Sequence, residues 1–500
     1  MADLRLGEVM TPDPLTTAPG TTLAEAASAM RERKVGSIVV VDGSEVVGIL
    51  TERDLVRATG SGAHPTDERV DGWMTSTPVT MQPTDDITHA LDQMFERSFR
   101  HIPVVDEGGA LVGIVSLRQL IGVAKLRKVD PWSPGTGKGL ENITVAETEL
   151  SYIDGQAGRL IYRGYDAVEL AKSKSFTDVW HLLLYGDLPT DDSFARRTAE
   201  LRAAPLDTQT LRDLARSGGT FMSTLQAAIS AAGAAWMLQP WLDDDPAKAE
   251  ESCLRLGAIV PTLVAALHRL EQGEDPIEPD PNLSHAANYL WMMHGEKPTN
   301  EQVLATDRYL ILTAEHGMNA STFTGRVISS TGADVGSAVA GAAGALSGPL
   351  HGGAPSLVLN MLDEIGAPER AGEWITNAVQ TGKRIMGFGH RVYKAEDPRA
   401  ACLRETAIEL ESERVALAKA VEATTLETLR AAKPGRALYT NVEFWSAVVL
   451  ERAGIPRKLF TPTFAVSRTI GWTAHILEQV RDNRLIRPTA DYVGPWDRKV

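Results

Sequence analysis

The sequence predicts an α/β module made of two copies of one small unit, followed by a mostly α domain. Three observations lead there: an internal repeat within residues 1–125, a succession of helical-period segments beyond residue 140, and sparse strand signals in that second part.

The repeat aligns VMTPDPLTTAPGTTLAEAASAMRERKVGSIVVVDGSEVVGILTERDL, from Val9, with WMTSTPVTMQPTDDITHALDQMFERSFRHIPVVDEGGALVGIVSLRQL, from Trp73. Met10 pairs with Met74, Pro14 with Pro78, Met30 with Met94, Asp42 with Asp106 and Gly48 with Gly113. Each copy reads as an extended start, an amphipathic helix, a β-branched strand such as 37–41, a turn, a second strand and a short helix. Asp42-Gly43 and Glu107-Gly108-Gly109 supply the hairpin turns. Such a unit is too small to bury its own apolar face, so the two copies are expected to pack on each other.

Residues 126–140, LRKVDPWSPGTGKGL, combine Lys, Arg, Pro and Gly and read as a linker. Beyond it, helices are expected over 176–185, 192–204, 207–216, 301–314, 335–345, 354–364, 400–432 and 441–453. Phe221 to Leu238, rich in Ala, Ser and Gly, reads as a buried helix packed closely on another helix rather than a membrane span. Between 243 and 281, acidic and Pro-rich stretches flank an apolar run and leave the element ends open.

Composition narrows the class. Hydrophobic content of 43% and charged content of 23% are those of a soluble globular protein. A net charge of −15 argues against nonspecific nucleic-acid binding. Cys253 and Cys402 cannot build a disulfide framework or a cysteine-based zinc site, which fits a reducing compartment. The start, MADLRLGEVM, has neither a cationic region nor an apolar run, so a cytoplasmic protein is expected.

Four stretches carry chemistry. Gly387-Phe388-Gly389-His390-Arg391-Val392-Tyr393-Lys394-Ala395-Glu396-Asp397-Pro398-Arg399 sets an imidazole behind two glycines and beside several cations, in an otherwise acidic chain. A titratable donor among anion-binding groups suits a small, highly anionic substrate with a carbonyl to polarise. Glu315-His316-Gly317-Met318-Asn319-Ala320-Ser321-Thr322 brings an imidazole, an amide and a hydroxyl together. Gly348-Pro349-Leu350-His351-Gly352-Gly353 puts a histidine just before an apolar helix, where the helix dipole would favour neutral imidazole, a donor to a carbonyl oxygen turning into an enolate. Asn441-Val442-Glu443-Phe444-Trp445 offers a carboxylate whose basicity its apolar neighbours would raise. No HExxH-type spacing occurs, and no metal site is expected.

The repeat resembles a tandem pair of CBS domains, a Bateman module. GILTERDL at 48–55 is the segment that carries the resemblance best. By that resemblance Thr51 and Asp54 would hold an adenosine ribose, Arg53 would lie near phosphate, and AMP, ADP or ATP would be the effector. Ser116 is the counterpart in the second copy, where Gln119 replaces the acid.

The ordered set HGMNAST, GPLHGGAPSLVLNML, MGFGHRVYKAEDPR, NVEFWSA and AVSRTIGW resembles the citrate synthase family, from GLENITVAETELSYIDGQAGRLIYRGYD at 139 to RLIRPTADYVG ending at 494. The resemblance implies a mostly α fold with a large domain from 141–353 and 456–500 and a small one from 354–455. The small domain would close over the large one to exclude water. It further implies a homodimer condensing acetyl-CoA with oxaloacetate, without metal or redox cofactor. His351 would bind the thioester oxygen, Glu443 would remove the methyl proton and His390 would polarise the keto group, while His316 contacts substrate. Arg399, Arg468 and Arg487 would hold carboxylates, the last reaching in from the other subunit. Lys394, Lys433 and Arg436 would contact CoA phosphate. The family motif is Asn-Val-Asp; here Glu443 is one methylene longer. Two other functions follow from the same residues: a 2-methylcitrate synthase using propionyl-CoA, and a nucleotide-sensing homologue that has lost catalysis.

Overall fold

In the computed structural model the two N-terminal copies exchange their opening segments. The structure describes residues 5–97, 99–117, 119–120, 140, 143–243, 246–352, 355–390, 392–432, 438–490 and 494. They fall into two compact units, Met1–Thr144 and Val145–Val500. Of the expected linker at 126–140, all but Leu140 lies outside the described residues.

In the first unit, the first copy contributes β1 (Thr11–Pro12), β2 (Thr16–Thr17), α1 (Leu23–Arg33), β3 (Ser37–Asp42), β4 (Glu45–Thr51) and α2 (Glu52–Gly60). The second contributes β5 (Thr75–Ser76), α3 (Ile87–Glu96), β6 (His101–Val105) and β7 (Leu111–Ser116). The sheets run β2-β3-β4-β5 and β1-β7-β6, so each copy's first strand joins the other copy's sheet. Side chains follow the same exchange. A Cβ on Gly48 would meet Met74 Sδ at 2.2 Å, and one on Gly113 would meet Met10 Sδ at 2.6 Å. The glycine of each copy is therefore the seat for the methionine of the other. Leu6 likewise packs in the second copy's core with Met81 and Ile102, and Val70 in the first copy's core with Leu23 and Leu50. Neither copy can close its core alone. The turns form as expected, with Gly43 at φ 64° and Gly109 at φ 82°, in the left-handed region that glycine enters freely.

The second unit opens with an antiparallel ribbon of β8 (Ser151–Asp154), β9 (Arg159–Tyr162) and β10 (Tyr165–Asp166). Helices follow: α4 (Ala167–Ser173), α5 (Phe176–Tyr185), α6 (Ser193–Glu200), α7 (Thr208–Ala215), α8 (Phe221–Ala235), α9 (Pro246–Glu271), α10 (His285–His294) and α11 (Asn300–Thr313). The remainder are α12 (Ala320–Ser330), α13 (Val335–Leu346), α14 (Pro355–Ile365), α15 (Ala371–Thr381), α16 (Pro398–Glu409), α17 (Val415–Ala432), α18 (Val442–Arg452) and α19 (Phe460–Arg481). The starts carry side-chain caps: Ser175, Thr299 and Asn319 accept from the backbone N–H groups of Asp178, Gln302 and Thr322. One hydrophobic core runs from Leu150 to Leu477. At its centre α19 is buried on nearly every side and packs along α9. By length and composition α9 could cross a membrane, yet 83% of its apolar window is buried inside this unit, as in a soluble core helix.

The helix expected over 400–432 is instead two helices. Glu411 takes a left-handed φ of 48°, and Ser412 N–H turns back to the Ala407 carbonyl at 3.1 Å. No Gly or Pro marks the break. It is held by tertiary partners: Arg452 Nε donates to the freed Leu410 carbonyl at 2.9 Å, and Arg414 pairs with Asp363 and Glu451.

Candidate active site

Two loops of the second unit are sewn into one ribbon. Gly389 N–H donates to the Tyr439 carbonyl at 2.8 Å, Asn441 N–H to the Gly387 carbonyl at 2.9 Å, and Asn441 Nδ2 to the Gly389 carbonyl at 3.0 Å. Gly387 sits at φ 85°, and a Cβ there would lie 2.6 Å from Cβ of Phe444 in the first turn of α18. Only glycine lets the loop lie flat on that helix. His390 and Glu443, far apart in sequence, thereby belong to one rigid piece.

Asp397 adds a third strut. It caps α16, receives Nε and Nη2 of Arg399 at 3.0 and 2.8 Å, and accepts Val442 N–H of α18 at 3.1 Å. Both partners of this ion pair are almost fully enclosed, and Asp397 together with the neighbouring Tyr393 holds the Arg399 guanidinium firmly charged.

Three histidines are neutral, each for stated reasons. His390 Nδ1 accepts N–H bonds from Val392 at 3.0 Å and Tyr393 at 3.1 Å, so its proton resides on Nε2. Burial, then Arg399, pushes it down to about 4. His351 Nε2 accepts Ser321 N–H at 3.3 Å and lies 2.8 Å from Ser321 Oγ, which places the proton on Nδ1. Burial, then Arg468, also lowers this group to about 4. From sequence, that neutrality is expected of a helix dipole. The structure assigns it to burial, because His351 lies in the turn after α13 and α14 begins only at Pro355. His316, in the loop between α11 and α12, is held well below the usual histidine range by burial, Arg399 and Arg468. Its ring lies 5.5 Å from that of His390.

Glu443, partly buried at the start of α18, is pushed up to about 7 by burial, against the pull of Arg399 and Arg384. It is a carboxylate poised to exchange a proton near neutral pH. Arg468, 1% exposed on α19, donates through Nε to the Thr313 carbonyl at 2.7 Å, and its guanidinium lies 4.8 Å from the Phe464 ring. Burial lowers it from the ordinary arginine value, while Glu315 opposes that shift.

Of the residues singled out from sequence, His316, His351, His390, Arg399, Arg468 and Glu443 form this constellation. Arg487 does not join it within this chain; it is exposed on the segment after α19. Lys394 is exposed, with its backbone N–H on the Gly155 carbonyl at 2.8 Å. Lys433 and Arg436 lie outside the described residues. Sequence alone does not show the anchoring of His351: Ser321 Oγ lies 2.8 Å from His351 Nε2 and 2.7 Å from Asn319 Oδ1, and accepts Trp472 Nε1–H at 3.1 Å. Ser321 was visible as a hydroxyl in its motif; Trp472 gave no separate signal. Among the described residues no group of three or more His, Cys, Asp or Glu could hold a metal ion.

The first unit has its own cavity of about 520 Å³, lined by Thr51, Arg53 and Asp54 from one copy and by Arg97, Arg100 and His101 from the other. Thr51 and Asp54 also serve α2: Thr51 N–H and Oγ1 donate to Asp54 Oδ2 at 3.0 and 2.7 Å. Ser116 lines a different cavity of about 930 Å³. There Gln119, in the position of Asp54, gives its Nε2 to the Val9 carbonyl.

The profile of the citrate synthase C-terminal domain matches residues 139–489, and that of the CBS domain matches 6–61 and 70–125. A citrate synthase of Haloferax volcanii is 42% identical over 366 residues, covering 72% of this chain and 96% of its own. The crystal structure of citrate synthase from Pyrobaculum aerophilum superposes with a TM-score of 0.67 at 39% identity, over 73% of this chain and 93% of that one. A ternary complex of the Thermoplasma acidophilum citrate synthase with carboxymethyl coenzyme A and oxaloacetate gives the same TM-score at 31% identity, over 73% and 97%.

Proposed function

From the premise that the chain belongs to the citrate synthase family and carries two CBS domains ahead of its synthase region, we propose that it condenses acetyl-CoA with oxaloacetate and water to give citrate and CoA. The enzyme is an acyltransferase. The observation that carries the substrate reading is the pairing of two neutral imidazoles of opposite tautomer with a carboxylate raised to about 7.

Glu443 takes a proton from the thioester methyl group while His351 Nδ1–H donates to the thioester oxygen, where negative charge grows. The enolate carbon then attacks the keto carbon of oxaloacetate, and His390 Nε2–H donates to the keto oxygen as it becomes an alkoxide. Water cleaves the resulting citryl thioester and releases CoA. Arg399 and Arg468 meet the substrate carboxylates as guanidinium groups able to make paired hydrogen bonds. Arg487 completes the site of a second subunit in a homodimer, and Lys394, Lys433 and Arg436 contact CoA phosphate. Closure of 354–455 over the rest of the synthase region excludes water before the carbon–carbon bond forms. No step needs a metal or a redox cofactor.

The test is free-thiol release with acetyl-CoA and propionyl-CoA in parallel. Acetyl-CoA is expected to give the higher kcat/KM; one methylene is worth about 10- to 200-fold in such a pocket. A strong propionyl preference would make the enzyme a 2-methylcitrate synthase. Absence of thiol release with either donor would leave a nucleotide-sensing protein without catalysis.

For the first unit we propose an adenine nucleotide in the cavity at Thr51, Arg53 and Asp54, altering synthase activity by preferring one state of the enzyme. Calorimetry with AMP, ADP and ATP is expected to show binding that weakens in Arg53→Ala. No heat at millimolar nucleotide would reduce the module to a packing element.

A further inference from the structure

Tyr393 touches three of the groups assigned to the keto acid, His316, His390 and Arg399, although the condensation scheme gives it no part. It is 1% exposed. Its hydroxyl lies 3.3 Å from His316 Nε2, and its ring centroid is 4.8 Å from that of His390 and 5.6 Å from that of His316. The Arg399 guanidinium carbon lies 5.7 Å from the centroid of the same ring. Its backbone N–H is one of the two that fix the tautomer of His390. Burial pushes its phenol above the ordinary tyrosine range, so the hydroxyl stays protonated.

We propose that Tyr393 is the positioning residue of the keto-acid half of the site, its hydroxyl holding His316 and its ring holding the faces of His390 and Arg399. The proposal rests on the condensation reading. The groups concerned are two neutral imidazoles and one cation, and none can hold the others in place: the imidazoles are edge to face, and a cation repels any proton gained by either. A buried aromatic ring with one polar atom supplies what they lack. It offers an apolar wall for two rings, a π-face for the guanidinium, and a side-chain hydrogen-bonding atom for His316. None of these contacts reaches Ser321, Trp472 or His351, the groups of the thioester half of the site.

Full-length Tyr393→Phe and Tyr393→Leu variants test this, by steady-state kinetics with each substrate varied in turn and by calorimetry with oxaloacetate. Phe keeps the ring and loses one hydrogen bond. Its oxaloacetate KM and Kd are expected to rise about 3- to 10-fold, while the acetyl-CoA KM stays within about twofold. Leu removes the ring as well and is expected to lose a further order of magnitude in kcat/KM for oxaloacetate, so that Phe recovers most of the Leu defect. An unchanged oxaloacetate Kd in a folded Tyr393→Phe protein, or equal shifts in both KM values, would overturn the assignment. Absence of CoA release by the unsubstituted enzyme would instead overturn the condensation reading, a separate outcome.

Discussion

Glu443→Gln is expected to lower kcat by about 10²- to 10⁴-fold, the range for removing a positioned general base, with oxaloacetate affinity little changed. The pH profile gives the sharper test. A base acts only when deprotonated, and burial raises Glu443 to about 7, so the neutral, inactive form gains population as pH falls through that value. Activity should therefore drop on the acid side of pH 7. His351 and His390, lowered to about 4, keep their single ring proton throughout that window and cannot produce the limb. In Glu443→Gln the residual activity should be flat between about pH 5 and 8, since glutamine does not titrate. An acid limb that survives the substitution unchanged would remove Glu443 from the proton transfer. Glu443, one methylene longer than the aspartate of the family motif, projects from a helix start that is held in place. The first turn of α18 is clamped by Asp397 at Val442 and by the Gly387 loop at Asn441, so its start is fixed before any side chain reaches out.

Much of this was legible in the chain. The repeat, with its paired Met10/Met74 and Gly48/Gly113, announced two units that need each other. Strand exchange was not readable, because β1 and β5 are two-residue strands whose partners lie on the other copy. Local pattern cannot name a partner across the repeat. The same methionines and glycines, seen as matched positions in sequence, turn out to be contacts between opposite copies. In the synthase region, Gly-Phe-Gly-His announced an imidazole behind two permissive glycines; that both glycines take positive φ, at Gly387 and Gly389, is seen only in the structure.

What escaped the sequence was long-range. The division between α16 and α17 rests on Arg452 and Arg414, whose partners come from separate elements, while residues 410–414 carry ordinary helix-compatible side chains. The role of Asp397 as a strut between Arg399 and α18 looks in sequence like a simple helix cap before Pro398. The neutrality of His351 was anticipated for the wrong cause: burial and the neighbouring guanidinium outweigh a helix end that starts several residues later. Periodicity and capping rules describe one element at a time. The site is made where separate elements meet.

His351→Ala is expected to cost about 10²- to 10³-fold in kcat, the loss typical of one donor aimed at a developing oxyanion. The magnitude follows from how the donor is held. A lone imidazole would divide its proton between two nitrogens; here Ser321 N–H occupies Nε2 and commits the proton to Nδ1. The ring stays neutral through physiological pH, so it donates without competing as a fixed positive charge. Ser321→Ala separates the two contributions. It removes the hydroxyl at 2.8 Å and the acceptor for Trp472 Nε1, but the backbone N–H that sets the tautomer remains. The loss should accordingly be about tenfold, roughly one hydrogen bond's worth, with part of it appearing as lower Tm because the buried indole N–H loses its partner. CoA release and thermal unfolding of both variants check the order. If Ser321→Ala equalled His351→Ala in kcat while keeping its Tm, the hydroxyl itself, and not the imidazole it orients, would be the group acting on the thioester.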